Sequence, residues 1–238
     1  VAMDDFWRKE EKLEWLRTNP FQKIEFNQVT PDKNHNWINL AETDWEDLLP
    51  MFDKDVKSGK SQQAVFELFS NGVVTARDEW VFDFEKNTLQ KKVSFFSDCF
   101  NKEVTRWEKR RDKKTSITDF VDRTIKWTSE LEDALKKGLN LIIKEDRFYK
   151  ALYRPFVCAK FYFDDVIVHR PYQNHLIFPK QEIENRLIWI TIHAQVPFSI
   201  GASKYIVDNG IGARISQCCP FYRYDAHGKR QDNITDCG

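Results

Sequence analysis

A repeat of apolar side chains at helical spacing constrains the middle of this chain more than any other feature. Between residues 87 and 111 the apolar positions recur every three or four residues, at Leu89, Val93, Phe96, Phe100, Val104 and Trp107. Side chains at such intervals lie on one face of an α-helix, which has about 3.6 residues per turn. The spacing therefore predicts the longest helix of the chain over residues 87–111.

Length and composition indicate a folded globular protein. The chain has 238 residues, which suffices for one large or two small domains, since domains commonly run about 100 to 200 residues. Aromatic residues make up 14% of it, with 19 Phe and 8 Trp, and such side chains supply large buried areas. Only 8 Gly and 8 Pro leave little material for flexible linkers.

The first fifty residues predict short elements. An amphipathic helix over residues 6–19 can be capped by Asp4 or Asp5, and Pro20 ends it. Further elements are predicted after it: strands at KIEF (23–26) and NWINL (36–40), and one or two helical turns between Thr43 and Pro50.

A hairpin is predicted where Ser70-Asn71-Gly72 joins two segments of alternating apolar and polar residues. The segments are VFELF, residues 65–69, and VVTARDEWVFDF, residues 73–84. Asn and Gly tolerate the positive φ of a type I′ turn, which is the turn that two antiparallel strands favour. We therefore expect two antiparallel strands here.

The second half predicts one more helix and several strands. SELEDALKKG, residues 129–138, has Ser129 as N-cap, Glu132 as capping-box partner and Gly138 as terminator. The predicted strands are YKALYRPF (149–156), CAKFYF (158–163), VIVHR (166–170) after a turn at Asp164-Asp165, RLIWITIHA (186–194) and ISQCCPFYRYD (215–225). The fold class predicted is α+β, with mostly antiparallel sheets and flanking helices.

Charge and cysteine content limit the environment. Lys plus Arg equals Asp plus Glu at 37 each, so the whole-chain charge gives no long-range attraction to nucleic acid or acidic membranes. Basic residues exceed acidic ones by four in residues 61–238. Five Cys without a CxxC spacing suggest neither a disulfide framework nor a zinc site, and a reducing cytoplasm fits best. No apolar run reaches the length of about 20 residues that a membrane span needs.

Motifs for catalysis are incomplete. Gly59-Lys60-Ser61 resembles the end of a phosphate-binding loop, but Lys54 stands where the first Gly is required. The five His are scattered without an HExxH or Glu-x-x-His pattern that would bind a metal. A free-standing enzyme is therefore not indicated, while a protein-interaction or scaffold domain remains an alternative because the chain is neutral and rich in aromatic residues.

Several stretches in order resemble the C-terminal target-recognition region of type ISP restriction-modification enzymes. Residues 71–84 are similar to a Gly-Val-x-Thr-x-Arg-Asp-x-Trp block, and residues 125–138 together with 151–173 are similar to a Tyr-Arg-Pro-Phe block. The closing stretches 196–210 and 217–225 resemble a block in which Cys-Phe-Pro-Leu-Tyr is usual, with Cys219 in place of Phe. Residues 5–40 are similar to the segment that follows the methyltransferase domain in that family, so the resemblance covers nearly the whole chain.

The resemblance implies a module of a longer polypeptide. Such a polypeptide carries a nuclease, an ATP-dependent DNA translocase and an adenine-N6 methyltransferase that uses S-adenosylmethionine. ATP, Mg and S-adenosylmethionine would then belong to the parent chain and no cofactor to this part. Residues 1–20 would be a tail helix of the methyltransferase region and residues 21–238 the recognition domain, in which any division into two sub-lobes would fall near 115–140. The partners implied are double-stranded DNA and the methyltransferase domain of the same chain, and no membrane.

A recognition domain needs cations for phosphates, and one basic cluster follows the predicted long helix. RWEKRRDKK contains six cations and two carboxylates, and the cations are Arg106, Lys109, Arg110, Arg111, Lys113 and Lys114. The alternative is a solvated helix end, where Lys and Arg are favoured by the negative pole of the helix.

Residues that can read base edges come together on a turn at the end of the predicted strand VIVHR, residues 166–170. Arg can bridge guanine, and Asn or Gln can bridge adenine. Arg170, Tyr172, Gln173 and Asn174 lie on a turn stiffened by Pro171, and an ordinary surface turn is the alternative. Arg77 is a further candidate for DNA contact, although Arg77 and Arg154 sit in strand-like patterns where a partly buried Arg more often pairs with a carboxylate. Lys160 and His169 are expected on the outer face of the hairpin predicted from the strands within residues 149–170.

Overall fold

The structure is a computed structural model of the chain, and it falls into two compact units, residues 1–48 and 49–238. The residues that it describes are 8–26, 28–31, 35, 37, 48–155, 157–191, 193, 197–212 and 215–237. In the first unit α1 spans Lys9–Thr18 and a 3₁₀ turn spans Phe21–Lys23, while KIEF forms no strand. The cap predicted at Asp4 or Asp5 and the strand NWINL, apart from Trp37, lie outside the described residues.

The second unit contains six helices and ten strands among its described residues. The helices are α2 Lys54–Lys57, α3 Asp78–Val81, α4 Lys86–Glu108, α5 Ile117–Phe120, α6 Ser129–Lys136 and α7 Asn174–Ile177. The strands are β1 Ser70–Asn71, β2 Phe82–Asp83, β3 Phe148–Arg154, β4 Val157–Tyr162, β5 Leu187–Thr191, β6 Ile200–Ser203, β7 Ile206–Val207, β8 Ser216–Pro220, β9 Tyr222–Tyr224 and β10 Arg230–Asp232. No helix in the described part is long and apolar enough to cross a bilayer.

The strands form two four-stranded sheets and one hairpin. One sheet has the order β1-β8-β5-β6 and is antiparallel throughout, and β9 pairs with β10 in the hairpin. The other has the order β2-β4-β3-β7, in which only β3 and β7 run parallel. The α+β class with mostly antiparallel sheets is therefore confirmed.

Helix α4 is the centre of the main core, as its spacing predicts. It packs against α3, α6, β2 and β4, and all six apolar positions identified in the sequence are buried. Phe100 lies 5.7 Å from the Trp127 ring, and Trp107 meets Phe120 edge-on at 5.2 Å. Residues 115–140 share this same core through Ile117, Ile125 and Leu131, which places that segment inside the second unit.

The hairpin predicted at Asn71-Gly72 is wrong. Ser70 and Asn71 form β1 and pair with β8, whereas Asp78–Val81 is a helix and not a strand. Gly72 does not adopt positive φ, and its backbone instead lies against residue 209. Glycine is needed there for close approach and not for a turn.

One further local prediction is shifted by a residue, and another is wrong. Helix α6 begins one residue earlier than predicted, with Thr128 as its N-cap and without the capping box of Ser129, while Gly138 follows its end at φ +66 as expected. The segment VIVHR is a turn and not a strand, because Asp164 accepts hydrogen bonds from the backbone N–H groups of Val166 and Ile167. A tight turn connects the antiparallel strands β3 and β4, and Arg154 lies opposite Val157 at this turn.

One ionic network joins three distant segments of the second unit. Arg154 at the end of β3 donates to Asp208 Oδ1 at 2.9 Å and to Asp78 Oδ2 at 3.2 Å. The Tyr153 hydroxyl donates to the same Asp78 oxygen at 3.1 Å, and the Arg154 guanidinium covers the Tyr153 ring at 3.9 Å. The expectation that Arg154 pairs with carboxylates to fix the fold is confirmed.

We expect Gly72→Ala to destabilise the protein more than an alanine at an open glycine. A Cβ at residue 72 would lie 2.8 Å from the Asn209 backbone and from Ser216 Oγ. Because the Asn209 backbone cannot move away as a flexible side chain could, the free energy of unfolding should fall by about 2 to 3 kcal/mol. The control is Gly228→Ala, where φ is +75 and the space is empty, with an expected cost of about 1 to 2 kcal/mol. Urea unfolding measures both, and a Gly72→Ala loss no larger than that of the control would contradict the close approach.

The carboxyl of Asp208 should make stability depend on pH. Burial raises its pKa to about 6, although the Gly210 N–H and Arg154 favour the ionised form. The unfolded group has a pKa of about 3.9, so the folded state binds more protons between the two values. Its contribution to the free energy of unfolding is therefore fully present below about pH 4 and is lost as the pH rises through 6.

The variant Asp208→Asn isolates this contribution. The free energy of unfolding of the natural protein minus that of the variant should fall by about 2 kcal/mol between pH 4 and pH 7. Urea unfolding at a series of pH values measures the difference. A difference that is constant or rises over this interval would show that burial does not raise the pKa of Asp208.

Candidate nucleic-acid interface

The basic cluster predicted from RWEKRRDKK lies where α4 ends and the chain turns into α5. Lys109 is the C-cap of α4, and Lys109, Arg111, Lys113 and Lys114 are exposed. None of these four forms an ion pair within the described ranges. They therefore place four free cations on one short loop, which we call the exit loop, residues 109–114.

Asp112 shapes the exit loop. Its carboxylate accepts a hydrogen bond from the Lys114 N–H at 2.8 Å and another from the Thr115 hydroxyl at 3.0 Å. These two hydrogen bonds hold the pKa of Asp112 below its usual range, so the carboxylate stays ionised. The loop thus contains one fixed negative charge that offsets part of the positive charge.

The two remaining cations of the cluster are engaged with the fold. Arg106 forms an ion pair with Glu103, a buried carboxylate on the same helix, and lies 5.0 Å from the Phe120 ring. Arg110 donates to the Trp107 carbonyl at 2.6 Å and covers the Trp107 ring at 3.7 Å. Both side chains fasten the end of α4 to the core, and only Arg106 retains substantial exposure, at 54% of its side chain.

The second predicted group lies on residues 170–174, which we call the reading turn. Arg170 pairs through its backbone with Val74, with N···O distances of 2.8 and 3.1 Å in the two directions. Tyr172 has a φ of +48, and the Gln173 N–H donates to Ser70 Oγ at 3.0 Å. Hydrogen bonds to two other segments thus fix the turn, while the Arg170 side chain is exposed and those of Tyr172 and Gln173 are half-buried.

Asn174 is inside the protein. Its side chain is completely buried, and its amide Nδ2 donates to the carbonyls of Asn71 at 3.0 Å and Pro171 at 2.9 Å. In this position the amide holds the reading turn against β1 and presents no atom to a base edge. The prediction that it contacts DNA is corrected accordingly.

Arg77 is the largest fully buried side chain of the described residues. Its guanidinium donates to the Ile167 carbonyl and, at 2.7 Å, to Thr128 Oγ1, and it lies 5.5 Å from the Phe96 ring. Burial lowers its pKa to about 10, a shift that Glu130 partly opposes, so the group remains cationic at neutral pH. The structural alternative therefore holds for Arg77, which is not available to DNA.

Sequence reasoning missed two cations near Lys160, one on β3 and one after β6. Lys150 on β3 and Lys204 after β6 line a cleft together with Lys160, which was expected on an outer face. The alternation of Lys150 with buried Tyr149 and Ala151 marks it as outward-facing, but the strand register that brings it to Lys160 cannot be read from one strand. His169, also expected on an outer face, instead contacts Glu130 at 2.6 Å.

No group of three or more His, Cys, Asp or Glu side chains that could hold a metal ion occurs in the part of the chain that the structure describes. The five cysteines are free, and burial raises the pKa of the Cys219 thiol to about 12.

We expect Asn174→Ala to lower stability although the residue is not in a core of apolar side chains. The variant loses both hydrogen bonds that the buried amide donates to the part-buried carbonyl groups of Asn71 and Pro171, which should reduce the free energy of unfolding by about 2 kcal/mol. Arg170→Ala on the same turn removes an exposed side chain and should change it by less than about 0.5 kcal/mol. Urea unfolding distinguishes them, and equal effects would mean that Asn174 does not hold the turn.

Comparisons with known proteins identify similar structures. A DrdV–DNA complex is 35% identical, with a TM-score of 0.76, over 100% of this chain and 23% of that chain. A nuclease-deletion mutant of the Type ISP restriction-modification enzyme LlaGI, in complex with a DNA substrate mimic, is 25% identical with a TM-score of 0.78, over 95% of this chain and 18% of that one. The ATP-dependent Type ISP enzyme LlaBIII bound to DNA shares the fold at 22% identity and a TM-score of 0.72, over 88% and 14%.

This chain thus spans less than a quarter of the length of each of these three proteins. No curated protein matches it. The Type ISP C-terminal specificity domain matches residues 64–238, which is well over half of the chain. The resemblance seen in the sequence is therefore confirmed, and the chain belongs to the Type ISP C-terminal specificity domain family.

Proposed function

We propose that this chain is a DNA target-recognition module, which binds duplex DNA and reads its base sequence. The observation that carries the proposal is membership of a specificity-domain family, together with similarity over the whole chain to a protein in complex with DNA. The geometry of the exit loop and the reading turn supports it. A module of this kind does no chemistry itself and determines where a neighbouring activity takes place.

The exit loop supplies charge and the reading turn supplies selectivity. Lys109, Arg111, Lys113 and Lys114 are free cations on flexible stems, and such side chains neutralise phosphates without regard to sequence. Arg170 is exposed beside a fixed backbone and can donate two hydrogen bonds to guanine N7 and O6. A turn that is already rigid loses little conformational entropy when it binds.

Gln173 complements Arg170 as a reader. Its Oε1 atom is buried without a hydrogen-bond partner among the described residues, so turning the amide outward breaks no bond to that oxygen. A glutamine amide can then accept from adenine N6 and donate to N7. Tyr172 between them has the amphipathic ring that packs against bases or sugars.

In the longer polypeptide, the module would hold DNA for methylation. We propose that a preceding methyltransferase domain flips out an adenine adjacent to the module, because enzymes that modify a base must take it out of the stack. S-adenosylmethionine, ATP and Mg would serve the methyltransferase and translocase of that polypeptide. This division of labour assigns binding to this chain and chemistry to the other domains of that polypeptide.

The experiment that tests sequence reading does not require the site to be known. The chain is incubated at about 50 mM salt with a library of random duplexes, because low salt strengthens phosphate contacts. Bound duplexes are recovered and sequenced, and an enriched motif is the expected result. Recovery of sequences at their frequency in the library would contradict the proposal.

Two variants then separate recognition of bases from binding to phosphates. Arg170→Ala should relax one position of the motif, because removal of a bidentate hydrogen-bonded pair costs about 1 to 3 kcal/mol of discrimination. Lys113→Ala should weaken binding to motif and unrelated duplexes by the same factor and leave the motif unchanged. Competition binding measures both, and an unchanged motif in Arg170→Ala would remove this residue from the readers.

A further inference from the structure

Two lysines face each other on the outer side of the sheet with the strand order β2-β4-β3-β7. Lys150 on β3 and Lys160 on β4 are direct partners in the antiparallel register, so their side chains project from the same face. Like charges directly opposite destabilise a strand pair. Neither lysine forms an ion pair with any residue in the described ranges.

The nearest carboxylate in the sheet is already engaged. Asp83 on β2 lies opposite Lys160 in the register, but its carboxylate binds the Lys92 ammonium at 2.7 Å. The hydrogen bond from Lys92 holds the pKa of Asp83 below its usual range, which keeps that pair ionised. Asp83 is therefore engaged by Lys92, and neither Lys160 nor Lys150 forms an ion pair with it.

These lysines belong to a larger positive groove. Lys150, Lys160, Lys204 and Lys86 line a cleft of about 580 Å³, in which the Lys150 ammonium lies 5.2 Å from the Tyr205 ring. Lys86 differs from the others because it binds Glu145 at 2.8 Å.

Lys204 and Glu184 also line an adjoining cleft of about 420 Å³, which contains Arg186 and Arg230. The Arg230 guanidinium lies 4.5 Å from the Tyr222 ring. Aromatic rings thus position a cation in each cleft.

The groove has an excess of positive charge. Five of its cations have no ion pair within the described part of the chain: Lys150, Lys160, Lys204, Arg186 and Arg230. Two carboxylates line it, Glu182 and Glu184, and both are exposed. These cations come from β3, β4, β10 and the segments beside β5 and β6, and a groove with an excess of positive charge fits a polyanion, in which negative charges repeat at a fixed spacing.

We propose that this groove binds the sugar-phosphate backbone of duplex DNA, as a contact additional to the exit loop and the reading turn. The proposal rests on the proposed function. A pair of strand-mounted lysines about 5 Å apart at their Cβ atoms can hold one phosphate or two successive ones. Phosphate contacts fix the register of the protein on the duplex and carry no sequence information, so the groove strengthens binding to every sequence alike.

The test is the triple variant Lys150→Gln, Lys160→Gln and Lys204→Gln in the whole chain. Affinity is measured by fluorescence anisotropy between 50 and 200 mM salt, on a motif duplex recovered from the random library and on an unrelated duplex. The slope of log affinity against log salt should become smaller by about 0.9 for each phosphate that the variant no longer neutralises, or about 2 to 3 in all. Both duplexes should be weakened by the same factor.

A matched variant removes three exposed lysines that do not line the groove, Lys54, Lys126 and Lys137, by the same change to Gln. It alters the total charge equally, so its slope should remain within about 0.9 of that of the natural protein. The midpoint of urea unfolding of the groove variant should be no lower than that of the natural protein, because repulsion between Lys150 and Lys160 is relieved. This measurement separates impaired binding from impaired folding.

Three outcomes would overturn the inference. A groove variant with the same slope as the natural protein would leave the groove to another anion, such as an acidic protein surface. Weakening confined to the motif duplex would make the groove a reader of bases and not a holder of phosphates. Failure of the natural protein to bind any duplex at 50 mM salt would overturn the proposed function itself, and the groove with it.

Discussion

The interaction on which the second unit depends is the fork that Arg154 makes between Asp78 and Asp208. Asp78 opens α3, Arg154 closes β3, and Asp208 follows β7, so one guanidinium fastens three segments that are far apart in the sequence. Asp208 is buried, and removing its partner would leave an uncompensated charge in the interior. Residues 72–75 lie next to this network, because Val73 donates to the Val207 carbonyl, one residue before Asp208, and Val74 pairs with Arg170. The reading turn is thus linked to the network through the backbone hydrogen bonds of Val73 and Val74.

The two groups of predicted DNA contacts differ in how they are held, and the difference matches what each has to do. The backbone of the reading turn is fixed by Ser70 Oγ and Val74, and the Asn174 side chain by the Asn71 carbonyl, so the point from which the exposed Arg170 side chain extends is fixed. Discrimination between bases requires such fixed geometry, because a bidentate contact is lost when the donor groups move by a fraction of the hydrogen-bond length. The exit loop is held mainly by Asp112, and its cations end in solvent. Attraction to phosphate tolerates this mobility because it depends on distance and not on direction.

Sequence patterns predicted the elements whose cause is local. The spacing of α4, the left-handed Gly138 after α6 and the alternation in β3 and β4 depend on neighbours within a few residues, and the structure contains each of them. The prediction failed at Asn71-Gly72 because the partner of β1 is β8, with Ser70 opposite Cys218, and no local rule describes pairing over such a separation. The same reason hid the Lys150–Lys160 pair, which exists only through register. Arg77 and Arg154 illustrate a third limit, since the sequence marked both as partly buried, yet only the fold determines which one is enclosed by Thr128 and Ile167.

A net charge of zero would argue against binding a polyanion if acidic and basic side chains were spread evenly over the surface. In this protein they differ in where they lie and in what they contact. Many carboxylates serve the fold: Asp53, Asp83, Asp112, Asp122, Asp164, Asp208 and Asp225 each accept a hydrogen bond from a backbone N–H group two residues further on. Others neutralise a structural cation, as Glu103 does for Arg106 and Glu67 for Arg223. Aspartate is suited to such turns because its short side chain reaches its own backbone, whereas lysine cannot accept a hydrogen bond at all. Local position therefore matters more than net charge, because within the described residues the groove has five cations without an ion pair and two carboxylates although the whole sequence is electrically neutral.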